Sequence, residues 1–147
     1  MNSRIDPRGP RFAAAITSVL LILALVLGSP WGLIPLGVQF LAFAAGALLG
    51  VHRQPWGWVF RRFVRPRLAP PAGLEDPRPP RFAQAVGLGF AAVALLGGLL
   101  GAEPVFLAAA GFALVAALLN AVFDFCLGCE VYLRVQRLRR RNLAVTP

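Results

Sequence analysis

Lysine is absent from this sequence and acidic residues number only six, so the fifteen basic residues, all arginine, leave a net charge of +9. Charged residues of every kind make up 14% of the chain and apolar ones 58%. Soluble domains carry about 25% charged residues, so an ordinary water-soluble fold is excluded and a membrane protein is indicated. Cysteine is scarce too: two in 147 residues fall far below the density a secreted disulfide scaffold needs. One histidine and six carboxylates assemble no catalytic triad and no paired intramembrane acids, and no phosphate-binding glycine loop is present. The lack of charge within the apolar runs argues against ion-coupled transport.

What is present is long apolar sequence. Residues 12–51 form a run of 40 without a charge, about twice the ~20 residues that one helix needs to cross a bilayer. The run therefore holds two crossings, broken at Gly28-Ser29-Pro30-Trp31-Gly32, where glycine and proline interrupt the helix and tryptophan suits the interface. The expected helices cover residues 12–27 and 33–51, then 82–102 and 104–123, with a turn at Glu103-Pro104. The fold class is all-α and integral to the membrane: four transmembrane helices with cytoplasmic amphipathic segments. Arg4, Arg8 and Arg11 before the first apolar run imitate a signal peptide, but no small-residue cleavage site follows, and the segment is expected to be retained. Every arginine lies in residues 1–11, 52–81 or 134–141 and none in the two hairpin tips. By the positive-inside rule, both termini and the central loop of this multi-pass chain are expected on the cytoplasmic side.

Asp6-Pro7-Arg8-Gly9-Pro10-Arg11-Phe12-Ala13-Ala14-Ala15 recurs as Asp76-Pro77-Arg78-Pro79-Pro80-Arg81-Phe82-Ala83-Gln84-Ala85, identical at eight of ten positions. With four extra residues in the second half, Pro30 aligns with Pro104, Gly37 with Gly111, and Gly46 and Gly50 with Asn120 and Asp124. The chain thus reads as a single domain, 1–147, of two tandem hairpins, residues 6–51 and 76–133, joined by a basic interfacial linker, 52–75. Two halves starting on the same side make a parallel repeat, a pseudo-two-fold four-helix bundle. The repeated lead-in has a plain explanation: aspartate caps, proline occupies an early helical position, and arginine meets lipid phosphate. The sharper alternative gathers Arg8, Arg11, Arg78 and Arg81 into one anion site.

Small residues at four-residue spacing allow close helix approach in lipid. Ala42, Gly46 and Gly50 offer such a stripe, as do Ala109, Ala113, Ala117 and Ala121, and Gly97 with Gly101, and small residues are expected opposite Gly46 and Gly50. Gln39, buried in a span, is expected to make an interhelical hydrogen bond. In the linker, Trp56, Val59, Phe60 and Phe63 share one helical face and Arg61, Arg62 and Arg65 the other, the pattern of a helix lying among headgroups. The tail from Val131 repeats it. Anionic lipid headgroups, and not nucleic acid, are the expected partners of this arginine, because it flanks membrane spans and no nucleic-acid fold surrounds it.

Both cysteines fall in Phe125-Cys126-Leu127-Gly128-Cys129-Glu130. At a cytoplasmic surface thiols are normally reduced, so a static structural disulfide is not expected. The C-x-x-C spacing points instead to redox exchange, sulfur relay or metal ligation, against the plain alternative of two small apolar residues. The thiols follow a long helix, with Asp124 and Glu130 beside them, which disfavours a thiolate. A helix ended by Gly128, so that Cys129 and Glu130 open a second one, with Arg134 and Arg137 within a turn or two, favours one. Asn120, Asp124, Glu130 and Arg134 are therefore the supporting residues. No cofactor is predicted. Cys126 and Cys129 with His52 form a weak metal set, and zinc or an iron–sulfur group would be better served by a homo-oligomer pooling four cysteines.

The order of the lead-in, hairpin, arginine and proline loop, second lead-in and closing Phe123-Asp124-Phe125-Cys126-Leu127-Gly128-Cys129-Glu130-Val131-Tyr132 resembles an uncharacterised family of small bacterial integral membrane proteins, domain of unknown function family 4395. The resemblance covers nearly the whole chain and implies no defined activity. It also implies a thioredoxin-like or rhodanese-like partner, in line with the cysteine pair. A membrane scaffold or anchor with inert thiols stands as the alternative.

Overall fold

The computed structural model describes residues 4–145. Its six α-helices are α1, Arg8–Leu27, α2, Leu33–Ala44, α3, Pro55–Val59, α4, Arg78–Leu99, α5, Glu103–Phe123, and α6, Leu127–Val145. Two starts share one device: Asp6 Oδ1 accepts the Arg8 backbone N–H at 3.0 Å before α1, and Asp76 Oδ1 accepts that of Arg78 at 2.9 Å before α4. Each carboxylate satisfies a donor that the first helical turn would leave unpaired. α1 therefore begins in the lead-in itself, four residues earlier than the apolar run implies.

α2 departs most from expectation. It is α-helical only to Ala44, continues as a wider π-type turn over Ala45–Leu49 and ends at Gly50, whose φ of 99° and ψ of 157° suit glycine alone. Val51 belongs to a short 3₁₀ turn, Val51–Arg53. Arg8–Leu27, Arg78–Leu99 and Glu103–Phe123 are each long and apolar enough to cross a membrane, while Leu33–Leu49 is a shorter apolar helix. The expected turn at Glu103-Pro104 shifts slightly, because both residues lie in the first turn of α5, where proline's missing N–H costs nothing. The bend itself is made at Leu100–Ala102, with Gly101 at φ 73°.

The four apolar helices form a ring: α1 packs on α2 and α5, and α4 packs on the same two, leaving α1 and α4 on one diagonal. Leu21, Leu36 and Phe106 are fully buried at the centre beside Ala24, Ala94 and Ala110. Alanine and glycine set the approach distances. A Cβ on Gly97 would stand 2.8 Å from the backbone N of Phe106, so the α4–α5 hairpin tolerates no side chain there. The two hairpin tips meet, with Ser29 Oγ donating to the Gly98 carbonyl at 3.2 Å.

At the opposite end the chain is tied by arginine and backbone. Arg11 donates to the Ala121 and Val122 carbonyls at the end of α5, and Arg81 to the Ala47 and Leu48 carbonyls at the end of α2. These are carbonyls that a helix C-terminus leaves without an intrahelical donor. Ile5 and Glu75 pair as an antiparallel bridge between them.

Only 22% to 33% of the best apolar window of each long helix is buried within the protein. Val26, Leu100, Phe112 and Leu48 lie on the outside, each more than two-thirds exposed. An outer surface this apolar is unstable in water and is covered by the bilayer. The protein is thus a multi-pass membrane protein in contact with lipid.

The linker helix differs in detail from its expected amphipathic face. Phe60 is buried against Phe12, ring centroids 5.7 Å apart, but Phe63 is about half exposed, because the chain widens to a π-type turn over Phe60–Val64 and rotates Phe63 outward. Gln39, fully buried in α2, accepts from the Trp56 indole at 3.1 Å and thereby pins α3 to the bundle. Gly46 does not face small residues: a Cβ there would stand 2.8 Å from Gln84 Oε1, so the space the glycine leaves is taken by a glutamine of α4. Gly50 meets nothing within 4 Å and is needed only for its backbone angles.

Candidate functional site

α5 stops at Asp124, which adopts the left-handed conformation at φ 55° and is capped as the Phe125 N–H reaches the Leu119 carbonyl. Aspartate is one of the few residues that tolerate this conformation. The chain then turns and α6 starts at Leu127, which puts Cys126 at the N-cap. Its carbonyl accepts the Glu130 N–H at 3.0 Å, and its Sγ accepts the Cys129 N–H at 3.3 Å. The two cysteines are joined as a disulfide, Cα atoms 5.2 Å apart. The bond spans one helical turn. Because loop-closure stabilisation grows with the length of chain enclosed, such a small ring gives only about 2 kcal/mol on the chain-entropy estimate, so its main consequence is for the chemistry of the sulfurs.

Groups of opposite influence surround the two sulfurs. The carboxylates are present, yet Glu130 is engaged by Arg134, Nε to Oε1 3.1 Å, one turn along α6. Cys126 itself occupies the position where unpaired helix N–H groups and the positive end of the dipole stabilise a thiolate.

Gly128, between the cysteines, is in close contact with α4: a Cβ on it would stand 2.7 Å from Ala83 Cα. Together with the Phe82–Tyr132 ring contact at 5.7 Å, it holds the start of α6 on the start of α4. Two hollows flank the pair. A surface cleft of about 220 Å³ is lined by Cys126, Cys129, Asn120, Asp124 and Glu130; Arg134 does not line it but pairs with Glu130. An inner hollow of about 90 Å³ reaches from Cys126 and Asn120 between α1 and α5 to Thr17 and Ala117. Cys126 lines both and Cys129 only the cleft.

His52 is not brought to the cysteines. It lines a third hollow, separated from the inner one by Pro10, Pro80 and Gln84, and its carbonyl accepts from Arg61. Among the described residues no three His, Cys, Asp or Glu side chains are grouped to hold a metal. The repeated arginines are not gathered either. Arg8 forms an ion pair with Asp6 at 2.9 Å and donates to the Ala69 carbonyl, while Arg11 and Arg81 serve ends of different helices on opposite corners. Arg78 contributes its backbone N–H to Asp76. The hydrogen bond from Arg8 also holds the Asp6 carboxyl below its ordinary value, burial opposing it.

Two polar residues escape sequence reasoning. Gln54, 1% exposed, caps α3 by accepting the Gly57 N–H at 3.0 Å, and Gln84 lies between the hollows. A signal existed for each: Gln54 precedes Pro55 at a helix start, and Gln84 replaces Ala14 in the repeat.

The fold and the cysteine pair define a small all-α multi-pass membrane protein with a C-x-x-C at a helix start. The chain belongs to the family described as "Domain of unknown function (DUF4395)", which matches residues 5–137. No curated protein and no solved structure matches it.

Proposed function

We propose that this chain is a membrane-bound thiol–disulfide exchange protein. Cys126 is the attacking residue and Cys129 the resolving one, both on the cytoplasmic face of a bacterial plasma membrane. The observation that carries this reading is the N-cap position of Cys126, with the Cys129 N–H directed to its sulfur. In the reduced protein the Cys126 thiolate attacks a partner disulfide. One partner thiolate leaves and takes up a proton, and a mixed disulfide forms. Cys129, losing its proton, then attacks Cys126 Sγ and expels the second partner thiolate, so two electrons and two protons pass to the partner. The reverse sequence regenerates the dithiol. A soluble thioredoxin-like or rhodanese-like protein with an acidic face would be drawn to the arginine-rich end.

The same reading takes the two hairpins as parallel repeats with four crossings. In its favour, the lead-in is duplicated, and the contacts are exchanged between aligned positions once the four extra residues are allowed: Arg11 holds Ala121 and Val122 as Arg81 holds Ala47 and Leu48. Redox titration of the purified protein with mass-spectrometric thiol trapping tests the function. An intramolecular disulfide that titrates near the cytoplasmic poise, about −220 to −320 mV, supports electron exchange. A persulfide on either cysteine moves the reading to sulfur relay. Thiols that resist oxidation across the range and trap no partner leave an inert membrane anchor.

A further inference from the structure

Unpaired buried polar groups lie away from the cysteines as well. Between the start of α1, α3 and the start of α4 is a hollow of about 130 Å³, lined by Arg4, Arg61, Arg65, Gln54 and Gln84. Its apolar wall includes Val51, Phe60 and Leu74. Two buried polar atoms on it have no partner: Gln54 Nε2, on a residue 1% exposed, and Gln84 Oε1. A buried amide group without a partner is destabilising, so such a pair calls for an occupant.

The charges ask for the same. Asp6, which also lines the hollow, is already matched by Arg8. Among the described residues no carboxylate forms a salt bridge with Arg61 or Arg65, and burial and the nearby Arg65 charge both disfavour the charged form of Arg61. Two neighbouring guanidinium groups, near which the only carboxylate among the described lining residues is Asp6, salt-bridged to Arg8 and also felt by Arg65, lie beside an unpaired amide donor and match a phosphate oxyanion. The unpaired acceptor requires a hydroxyl as well, and the apolar wall suits the carbon skeleton between them.

We propose that this hollow binds one phosphate ester bearing a neighbouring hydroxyl, whether a free ester or an anionic lipid headgroup. The phosphate faces Arg61, Arg65 and Arg4 and accepts from Gln54 Nε2. The hydroxyl donates to Gln84 Oε1. This differs from a general attraction of arginine to anionic lipid in requiring a particular site and two uncharged residues.

The full chain in phosphatidylcholine nanodiscs, titrated with glycerol 3-phosphate, supplies one arm. Native mass spectrometry from mixed phosphatidylglycerol and phosphatidylcholine nanodiscs supplies the other. Saturable binding of the soluble ester identifies a free ester. Retention of one phosphatidylglycerol that the ester does not displace identifies a headgroup. In either arm Arg65→Gln, which removes an exposed side chain, should weaken binding by about tenfold, the loss of a charge-assisted contact. Gln84→Leu, which changes no charge, should weaken it by about threefold or more. If the wild-type chain holds neither probe above the phosphatidylcholine background, or if both variants bind as the wild type does, the proposal is overturned.

Discussion

Ile5 and Glu75 exchange both backbone hydrogen bonds, N–H to carbonyl 2.9 Å in each direction, and so join the strand of chain that precedes α1 to the one that precedes α4. The two residues stand immediately before Asp6 and Asp76, the first residues of the duplicated lead-in, so each pairs with its own counterpart. An antiparallel pair of equivalent residues is what a two-fold axis through the bridge would generate. On the proposed repeat reading, the axis would pass through this bridge, at the arginine-rich end, between the starts of α1 and α4.

If that reading holds, Arg11 and Arg81 are energetically equivalent. Each places a cation on C-terminal carbonyls at a water-accessible surface, a contribution of about 0.3–1 kcal/mol. Arg11→Gln and Arg81→Gln should each lower thermal stability by a similar small amount, and the double variant by about the sum, because the contacts lie on opposite corners. Melting curves in detergent measure this. A large loss in one variant and none in the other counts against equivalence.

Gly128→Ala should cost more, about 1–3 kcal/mol, because the added methyl meets α4 backbone at Ala83, which has no side-chain freedom with which to yield. Gly46→Ala should cost less: the atoms it meets belong to the Gln84 side chain, which can turn aside. A melting temperature lowered more by the first substitution than by the second supports this order, and the reverse refutes it.

Much of this architecture was legible in the sequence because apolar length and arginine placement act at long range and do not depend on side-chain detail. The paired lead-ins and the all-α membrane character follow from those alone. The end of α2 was not legible: residues 33–51 carry no charge to mark where helix gives way to turn, and Gly50 reads equally as a packing glycine or a terminator. Its positive φ decides for the second. At the site, Asp124, Asn120 and Glu130 could be placed by spacing from Cys126. What spacing could not reveal is that α5 stops at Asp124 in a left-handed conformation, the single backbone event that turns Cys126 from the tail of one helix into the cap of the next.

Side-specific labelling tests the orientation. In a chain lacking Cys126 and Cys129, single cysteines at Ser29, in the α1–α2 tip, and at Leu68, in the linker, should react with an impermeant thiol reagent from opposite sides of the membrane. Reaction from the same side removes the four-crossing reading.

Acid should weaken the lead-in. The Asp6 carboxyl is held below its ordinary value of 3.8, chiefly by the Arg8 hydrogen bond. Its contribution is therefore fully present above that value and is lost as pH falls through the lower, folded-state value. Asp6→Asn should be less stable than the wild type at neutral pH, and the difference should shrink as the wild-type carboxyl protonates. Thermal melts from pH 7 down to about 2 read this directly, and a difference that stays constant across the range contradicts it.

The two cysteines should be unequal, and the inequality has a fixed direction. Cys126 Sγ receives the Cys129 N–H at the start of α6, where the helix dipole favours negative charge. Cys129 lies within the first turn of α6, its sulfur bonded to that of Cys126. Cys126 also borders both the inner hollow and the cleft, while Cys129 borders only the cleft. Cys129→Ser should therefore leave an attacking thiolate with no resolving partner, and it should accumulate a mixed disulfide when offered an oxidised small-molecule disulfide near neutral pH. Cys126→Ser should react more slowly, by about tenfold for a difference of about 1.4 kcal/mol in thiolate stabilisation. Alkylation rates of the two single variants across pH 5 to about 9 should separate in the same sense, with the Cys129→Ser curve rising at lower pH. Equal rates, or faster reaction of the Cys126→Ser chain, would show that the N-cap does not govern the chemistry and would remove the basis for assigning Cys126 the attacking role.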